Sequence, residues 1–149
     1  MESFKIIFVI PAYNEEKTIS DVISSLKSYG QILIVDDGST DQTSFIAKKC
    51  GAIVKKHEKN YGYDSALNTG FKTASILGFD YAITLDADLQ HDTVVIPEFI
   101  NQLVHKNVGI VAGVRLKSQR ISELIFKKIS KFIWGLQDPL CGLKGYNME

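Results

Sequence analysis

Two aspartates, Asp86 and Asp88, stand two positions apart directly after an apolar segment at residues 81–85. In an extended chain their side chains point the same way, so both carboxylates can bind one Mg²⁺ or Mn²⁺. These cations prefer oxygen ligands and keep positions open for substrate phosphates, and Gln90 can add a neutral oxygen. We therefore predict a metal site of Asp86, Asp88 and Gln90, although such a pair alone also fits a solvated turn or a helix cap.

Further acidic residues follow two other apolar segments, at residues 11–16 and 36–41. Crowded carboxylates repel one another unless a cation or hydrogen-bond donors offset the cost. Aspartate is favoured at helix N-caps, and we assign that role to Asp41. Asp36 and Asp37 then have no evident structural role. A carboxylate that follows a strand can accept hydrogen bonds from a ribose hydroxyl or a base N–H, which is the role we predict here.

Strand-like and helix-like segments alternate along the chain and must position these residues. Apolar, β-branched runs predict strands at 5–10, 32–35, 52–57, 81–85 and 108–112, and helical spacing predicts helices at 18–29, 41–50, 65–77 and about 97–104. This alternation is typical of an α/β domain with a mostly parallel, Rossmann-like sheet flanked by helices. Ligands of such sheets bind beyond the carboxyl ends of the strands, where the acidic clusters fall.

Length and composition restrict the class of protein further. The 149 residues, 45% of them hydrophobic, indicate a single domain. Basic and acidic side chains number 17 each, so nothing indicates a nucleic-acid partner. Residues 115–149 nevertheless carry seven basic and three acidic side chains, a net charge of +4, and are where an anionic partner is expected. The N-terminal apolar run is too short for a signal peptide or a membrane span, and we expect a cytoplasmic protein.

Residues 121–134 combine an apolar stripe with a basic cluster of Lys127, Lys128 and Lys131. One interpretation is an ordinary amphipathic core helix with a solvated basic face. The other is a helix on the membrane surface that brings the protein to a lipid acceptor. In that case the protein associates peripherally with the cytoplasmic membrane face or with a membrane partner subunit.

Five motifs occur together in the chain: VIPAYNEE, IVDDGSTDQT, NYGYDSALNTGF, LDADLQHD and DPLCGLKGY. The sequence has neither GxGxxG nor GxxxxGK[ST], which disfavours a Rossmann dehydrogenase and a P-loop enzyme. With its five motifs the chain resembles family 2 glycosyltransferases of the GT-A fold, in particular the branch of dolichol- or polyprenyl-phosphate mannosyltransferase-like enzymes. The resemblance extends from Ile6 to about Tyr146.

The resemblance implies a role for each matching residue. The nucleotide base pocket would be lined by Pro11, Tyr13, Glu15, Val35 and Asp37. The metal and the diphosphate would be held by Asp86, Ala87, Asp88 and Gln90, with Asp88 acting in catalysis through the cation. Arg115 would reach a donor phosphate. The role of Lys144 is inferred from charge instead: together with the basic character of residues 115–149, it suggests a surface that binds an anionic acceptor.

The implied reaction transfers a sugar from GDP-mannose or a UDP-hexose to an acceptor, with Mg²⁺ or Mn²⁺ and with inversion at the anomeric carbon. A polyprenyl or dolichyl phosphate acceptor is already a nucleophile near neutral pH, since the second pKa of a phosphate monoester is about 6. A sugar hydroxyl acceptor would need a general base, for which Asp138 is the candidate on the acceptor side. The alternative is a non-catalytic nucleotide-sugar-binding module or partner subunit derived from a truncated transferase.

The chain departs from the family pattern in two places. Asp92 and Thr93 stand where family members commonly have prolines after Gln-His, which affects the rigidity of the metal loop more than its ligands. Family members also usually continue well beyond the Asp-Pro-x-x-Gly segment. We therefore expect residues 1–114 to bind the nucleotide sugar and metal, and residues 115–149 to begin an acceptor-side region that is truncated here.

Overall fold

The computed structural model describes residues 4–87, 93–105, 108–113 and 142–148. Its strands are β1 Ile6–Ala12, β2 Gln31–Asp36, β3 Ile53–Lys56, β4 Tyr81–Thr84, β5 Ile110–Ala112 and β6 Lys144–Asn147. Its helices are α1 Ile19–Leu26, α2 Thr43–Lys49, α3 Tyr63–Ile76 and α4 Ile96–His105, the last preceded by a 3₁₀ turn at Thr93–Val95. The strands form one sheet in the order β3-β2-β1-β4-β6-β5.

Strands β1 to β4 form the parallel part of the sheet, as the alternation of strands and helices predicts. β1 is apolar throughout because helices cover both of its faces. Phe8 and Ile10 pack in the cluster that includes residues of α1, α2 and α4. Ile7 and Val9 belong to the cluster that includes residues of α3. The carboxyl ends of four strands are thereby held side by side.

The sequence did not predict β6, which lies antiparallel between β4 and β5. Its four residues, Lys-Gly-Tyr-Asn, lack the apolar alternation that identifies a strand. Pairing across the sheet compensates, because Lys144 lies opposite both Thr84 and Ala112. The sheet is therefore mostly parallel, as predicted, with one reversed strand.

Several element boundaries differ from the predicted ones by one to three residues, among them those of α1 and α3. α1 begins at Ile19 and ends at Leu26, inside the predicted span of 18–29. α3 begins at Tyr63, two residues earlier than predicted, and its N-cap is Gly62. The start of α3 therefore lies closer to the strand ends than the sequence indicated. The predicted basic helix at 121–134 lies outside the described residues.

Candidate functional site

A cleft of about 250 Å³ lies at the carboxyl edge of the sheet. Its walls come from the end of β1, the loops after β2 and before α3, α3 itself and the end of β4. The lining residues are Pro11, Ala12, Tyr13, Glu15, Asp37, Asn60, Gly62, Tyr63, Ala66, Asp86 and Ala87. Six predicted binding residues are among them: Pro11, Tyr13, Glu15, Asp37, Asp86 and Ala87.

The loop after β1 is tied to the loop after β2. Asn14 has a positive φ of 57°, a conformation that asparagine tolerates better than most residues. Its backbone N–H donates to Ser39 Oγ at 2.9 Å, and its Oδ1 accepts the Thr40 N–H at 2.9 Å. These bonds hold the neighbouring Tyr13, whose side chain is 46% exposed and contributes to the cleft wall.

Glu15 also makes hydrogen bonds to other residues of the protein. Its Oε2 accepts the Thr18 hydroxyl at 2.7 Å, and its backbone N–H donates to Thr43 Oγ1 at 2.8 Å. Its carbonyl accepts the N–H groups of Thr18 and Ile19 at the start of α1. Glu15 thus lines the cleft and also orders the entry to the first helix.

Asp36 has a structural role, contrary to the sequence interpretation. Its side chain is fully buried and accepts the Ser39 N–H at 2.7 Å and the Ser44 hydroxyl, and the Lys56 ammonium lies 3.6 Å away. Burial acts to raise its pKa, but the hydrogen bonds from Ser39 and Ser44 and the charge of Lys56 outweigh burial and hold the pKa below its usual range. Asp36 therefore stabilises the turn after β2 as a buried, ionised carboxylate.

Asp37 also has structural partners, so the interpretation that it lacks them is wrong as well. Its Oδ1 accepts the Tyr61 N–H at 2.9 Å and lies 2.7 Å from His57 Nδ1, and its Oδ2 accepts the Gly62 N–H at 2.8 Å. Burial acts to raise its pKa, but the hydrogen bonds from Tyr61, His57 and Gly62 outweigh burial and keep the pKa below its usual range. Asp37 is therefore an ionised acceptor in the cleft wall.

The prediction that Asp41 is the N-cap of α2 is wrong by one position, although Asp41 still satisfies a backbone N–H at the start of the helix. Its Oδ1 accepts the N–H of Thr43, the first residue of α2, at 3.0 Å. Gln42 occupies the N-cap position itself and makes no side-chain cap hydrogen bond. The Oδ2 of Asp41 also accepts the Glu16 N–H at 3.2 Å, which adds a further link between the first two loops.

Asp86 follows β4 and contacts two elements that the sequence did not connect with it. The Tyr63 hydroxyl donates to Asp86 Oδ1 at 3.0 Å. Burial, and then the negative charge of Asp86, raise the pKa of Tyr63, so the phenol stays protonated and remains a donor. A Cβ at Gly142 would overlap the Asp86 carboxylate, and the Thr84 hydroxyl donates to the Gly142 carbonyl at 2.7 Å. Only a glycine lets this backbone approach so closely.

Several functional residues were missed or placed differently by the sequence. Neither Tyr63 nor His57 is among the site residues predicted from the sequence, yet Tyr63 lines the cleft and His57 contacts Asp37. Their position in the sequence could have identified both as site candidates, because His57 follows a strand and Tyr63 starts a helix at the binding edge of the sheet. Val35 is fully buried in the cluster that includes residues of α3, and Lys144 lies at the start of β6, so neither lines the cleft.

Only one of the three predicted metal ligands, Asp86, lies in the described part of the chain. Asp86 offers carboxylate oxygen to the cleft, and this donor chemistry fits a hard cation. Within the described residues, no group of three or more His, Cys, Asp or Glu side chains could hold a metal ion. Asp88 and Gln90 lie outside that part of the chain, as do Arg115 and Asp138. A metal site of the predicted composition would need further ligands from the segment that follows Asp86.

Solved structures identify the fold. Glucosyl-3-phosphoglycerate synthase from Mycobacterium tuberculosis, crystallised with Mn²⁺, UDP-glucose and phosphoglyceric acid, matches 98% of this chain with a TM-score of 0.80, at 23% identity and over 57% of its own length. Mannosyl-3-phosphoglycerate synthase from Rubrobacter xylanophilus matches 97% with a TM-score of 0.81, at 20% identity and over 54% of its length. The GT-A fold predicted from the motifs is confirmed.

The profile described as Glycosyl transferase family 2 matches residues 7–143, and the chain belongs to this family. The UDP-N-acetylglucosamine–dolichyl-phosphate N-acetylglucosaminyltransferase of Methanococcus voltae is 38% identical over 134 residues, 77% of this chain and 53% of the relative. The undecaprenyl-phosphate 4-deoxy-4-formamido-L-arabinose transferase of Salmonella choleraesuis is 34% identical over 143 residues, 87% of this chain and 42% of the relative. The chain spans about half the length of the curated relatives it matches.

Proposed function

We propose that the chain binds a nucleoside-diphosphate sugar in the cleft and transfers the sugar to a polyprenyl or dolichyl phosphate. The observation that carries this proposal is the meeting of Asp37, from the end of β2, with Asp86, from the end of β4, in one cleft walled by Tyr13. Relatives named for transfer to dolichyl phosphate and to undecaprenyl phosphate support the acceptor class.

Donor recognition is divided among the cleft residues in this proposal. The exposed ring of Tyr13 offers a flat apolar surface for a nucleobase. Asp37, held ionised by its hydrogen bonds, accepts an N–H of the base or a ribose hydroxyl. Asp86 lies on the diphosphate side, with its Oδ1 oriented by Tyr63. Arg115 binds a donor phosphate, as the family resemblance implies, and Lys144 binds the anionic acceptor, as the basic charge of residues 115–149 suggests.

A bound Mg²⁺ or Mn²⁺, held by Asp86, Asp88 and Gln90, would neutralise the charge that develops on the leaving diphosphate. The acceptor phosphate attacks the anomeric carbon from the face opposite the departing nucleotide, so the configuration inverts. Its oxyanion is already deprotonated near neutral pH, and no protein base is needed. If the acceptor were instead a hydroxyl, Asp138 would act as the base.

Membrane contact is part of the same proposal. In the described parts of the chain, no helix has the length and apolar character needed to cross a membrane. The +4 charge of residues 115–149 supports peripheral attachment to anionic lipid, because each lysine near such a surface contributes roughly 1 kcal/mol. Co-sedimentation with anionic vesicles should therefore decrease steadily as salt increases.

Sugar transfer from radiolabelled donors tests the reaction. UDP- and GDP-sugars are incubated with Mn²⁺ and either undecaprenyl phosphate in vesicles or 3-phosphoglycerate in solution. We expect label in the lipid fraction, and expect the Asp86→Asn variant to lose it while Asp21→Asn, the same change at an exposed residue of α1 outside the cleft, retains it. Label in 3-phosphoglycerate alone would refute the lipid acceptor. Donor binding without any transfer would favour the non-catalytic module.

A further inference from the structure

We propose that His57 is a positioning residue for the donor pocket: it fixes the Asp37 carboxylate and the loop at residues 57–62 in the arrangement that binds the nucleotide. This inference rests on the proposed function. His57 is not among the residues that line the cleft, so it acts through Asp37.

The imidazole of His57 bridges two elements. Nδ1 lies 2.7 Å from Asp37 Oδ1, after β2, and Nε2 lies 2.8 Å from Thr69 Oγ1, on α3. The side chain is 12% exposed, and its backbone N–H donates to the Asp36 carbonyl at 2.8 Å. With the backbone and both ring nitrogens engaged, the ring is restricted to one orientation.

The protonation pattern of this contact follows from its partner. Asp37 is ionised and can only accept, so Nδ1 of His57 carries the hydrogen. Nε2 accepts from the Thr69 hydroxyl when the ring is neutral and donates to it when the ring is charged. The contact with Asp37 is therefore N–H donating to carboxylate in either state.

The carboxylate of Asp37 keeps capacity for a ligand. Its two oxygens offer about four acceptor sites. Within the described residues, Oδ1 accepts from His57 and Tyr61, and Oδ2 accepts from Gly62. These bonds satisfy Oδ1 and orient the carboxylate plane, which leaves Oδ2 with a site for a donor from the base or ribose.

The loop that His57 begins also builds the cleft. Asn60 and Gly62, both in this loop, line it. The loop lies against Gly38, which has a positive φ of 78° and where a Cβ would overlap the backbone of Lys59. The Tyr61 ring packs edge-on against the His57 imidazole, with centroids 5.4 Å apart. Loss of the Nδ1 contact would therefore release both Asp37 and the loop.

Two substitutions distinguish the contributions of the two ring nitrogens of His57. His57→Asn keeps an N–H donor attached to Cγ, as Nδ1 is, and loses the contact with Thr69. His57→Gln carries its amide one bond further out, at the reach of Nε2, and loses the contact with Asp37. Calorimetry with UDP and GDP in the presence of Mn²⁺, together with the Tm without ligand, measures both variants.

We expect His57→Gln to weaken nucleotide binding by about tenfold and His57→Asn by about threefold or less. This order of affinities should hold even if His57→Asn is the variant with the lower Tm. Equal losses in both variants, or losses that follow Tm alone, would overturn the inference. If the wild-type chain binds neither nucleotide, the proposed function fails.

Amide hydrogen exchange without ligand gives an independent answer. The N–H groups of Tyr61 and Gly62 should exchange faster in His57→Gln than in His57→Asn, because both donate to the carboxylate that His57 holds. Indistinguishable exchange at these two amides would refute the positioning role even if the nucleotide binds.

Discussion

The hydroxyl of Tyr63, the first residue of α3, donates to Oδ1 of Asp86 at 3.0 Å and so joins the start of a helix to the end of β4 across the cleft lining. The bond orients a carboxylate that the sequence assigned to donor and metal binding. Since the pKa of the phenol is raised by burial and by Asp86, Tyr63 stays a donor at neutral pH.

Replacing Tyr63 by Phe should weaken nucleotide binding in the presence of Mn²⁺ by about 1 kcal/mol, roughly fivefold, because the ring remains but Asp86 loses its orienting donor. Calorimetry measures the change, and Tyr29→Phe, outside both the cleft lining and the loop at residues 57–62, is the matched control. Tighter binding by Tyr63→Phe would mean that the hydroxyl competes with the ligand for Asp86.

Substitutions at the neighbouring residues Asp36 and Asp37 should have different effects, one on stability and the other on nucleotide binding. Asp37→Ala should weaken nucleotide binding by about 1–3 kcal/mol, the range for loss of a buried hydrogen-bonded partner. Asp36→Asn should lower the Tm, because the buried group loses the Lys56 ion pair, yet leave the affinity of the folded protein close to that of the wild type. A normal dissociation constant for Asp37→Ala would assign Asp37 to the turn alone.

Stability should decline in acid. The pKa values of Asp36, Asp37 and Asp41 are all lowered in the folded protein, so each contributes stability that is complete above the unfolded-state pKa of about 3.9. That contribution is lost as the pH falls through the lower folded-state pKa values. Urea unfolding from pH 7 to pH 2 should show a decreasing free energy of unfolding below about pH 4. A shallower decrease in Asp36→Asn is expected, and an identical slope would contradict the assignment.

Gly142 should be intolerant of any side chain. A Cβ there would overlap the Asp86 carboxylate, so Gly142→Ala must displace one of the two, at a cost of about 1–3 kcal/mol of stability. Metal-dependent nucleotide binding should fall with it. Gly109→Ala is the control, because a Cβ at that position meets no atom within 4 Å. Unfolding and binding curves like those of the control would show that the approach to Asp86 is not required.

The sequence predicted the parallel core because β1, β2 and β4 are apolar on both faces, and it located Asp37 and Asp86 because each follows such a strand. It could not predict β6, whose pairing with β4 joins Thr84 to Lys144 and depends on contacts far apart in the chain. A strand that is polar and short has no periodic signal of its own.

The hydrogen-bond partners of Asp37 could not be predicted from the sequence for a similar reason. They come from residues 57–62, and two of the three donors are backbone N–H groups, which carry no sequence signature. A rule based on capping within the local turn therefore left Asp37 without a role, whereas the structure uses it to join two loops. Tyr63 was missed because α3 begins two residues earlier than its apolar pattern indicates.

The most direct test of the account is calorimetric titration of UDP and GDP into the wild-type chain, with and without Mn²⁺, repeated with Asp88→Ala and with Asp21→Ala as the exposed control on α1. We predict that one nucleotide binds, that Mn²⁺ tightens its binding by about tenfold, and that Asp88→Ala alone removes this enhancement. Nucleotide binding that is unchanged both by Mn²⁺ and by Asp88→Ala would contradict the proposed donor site.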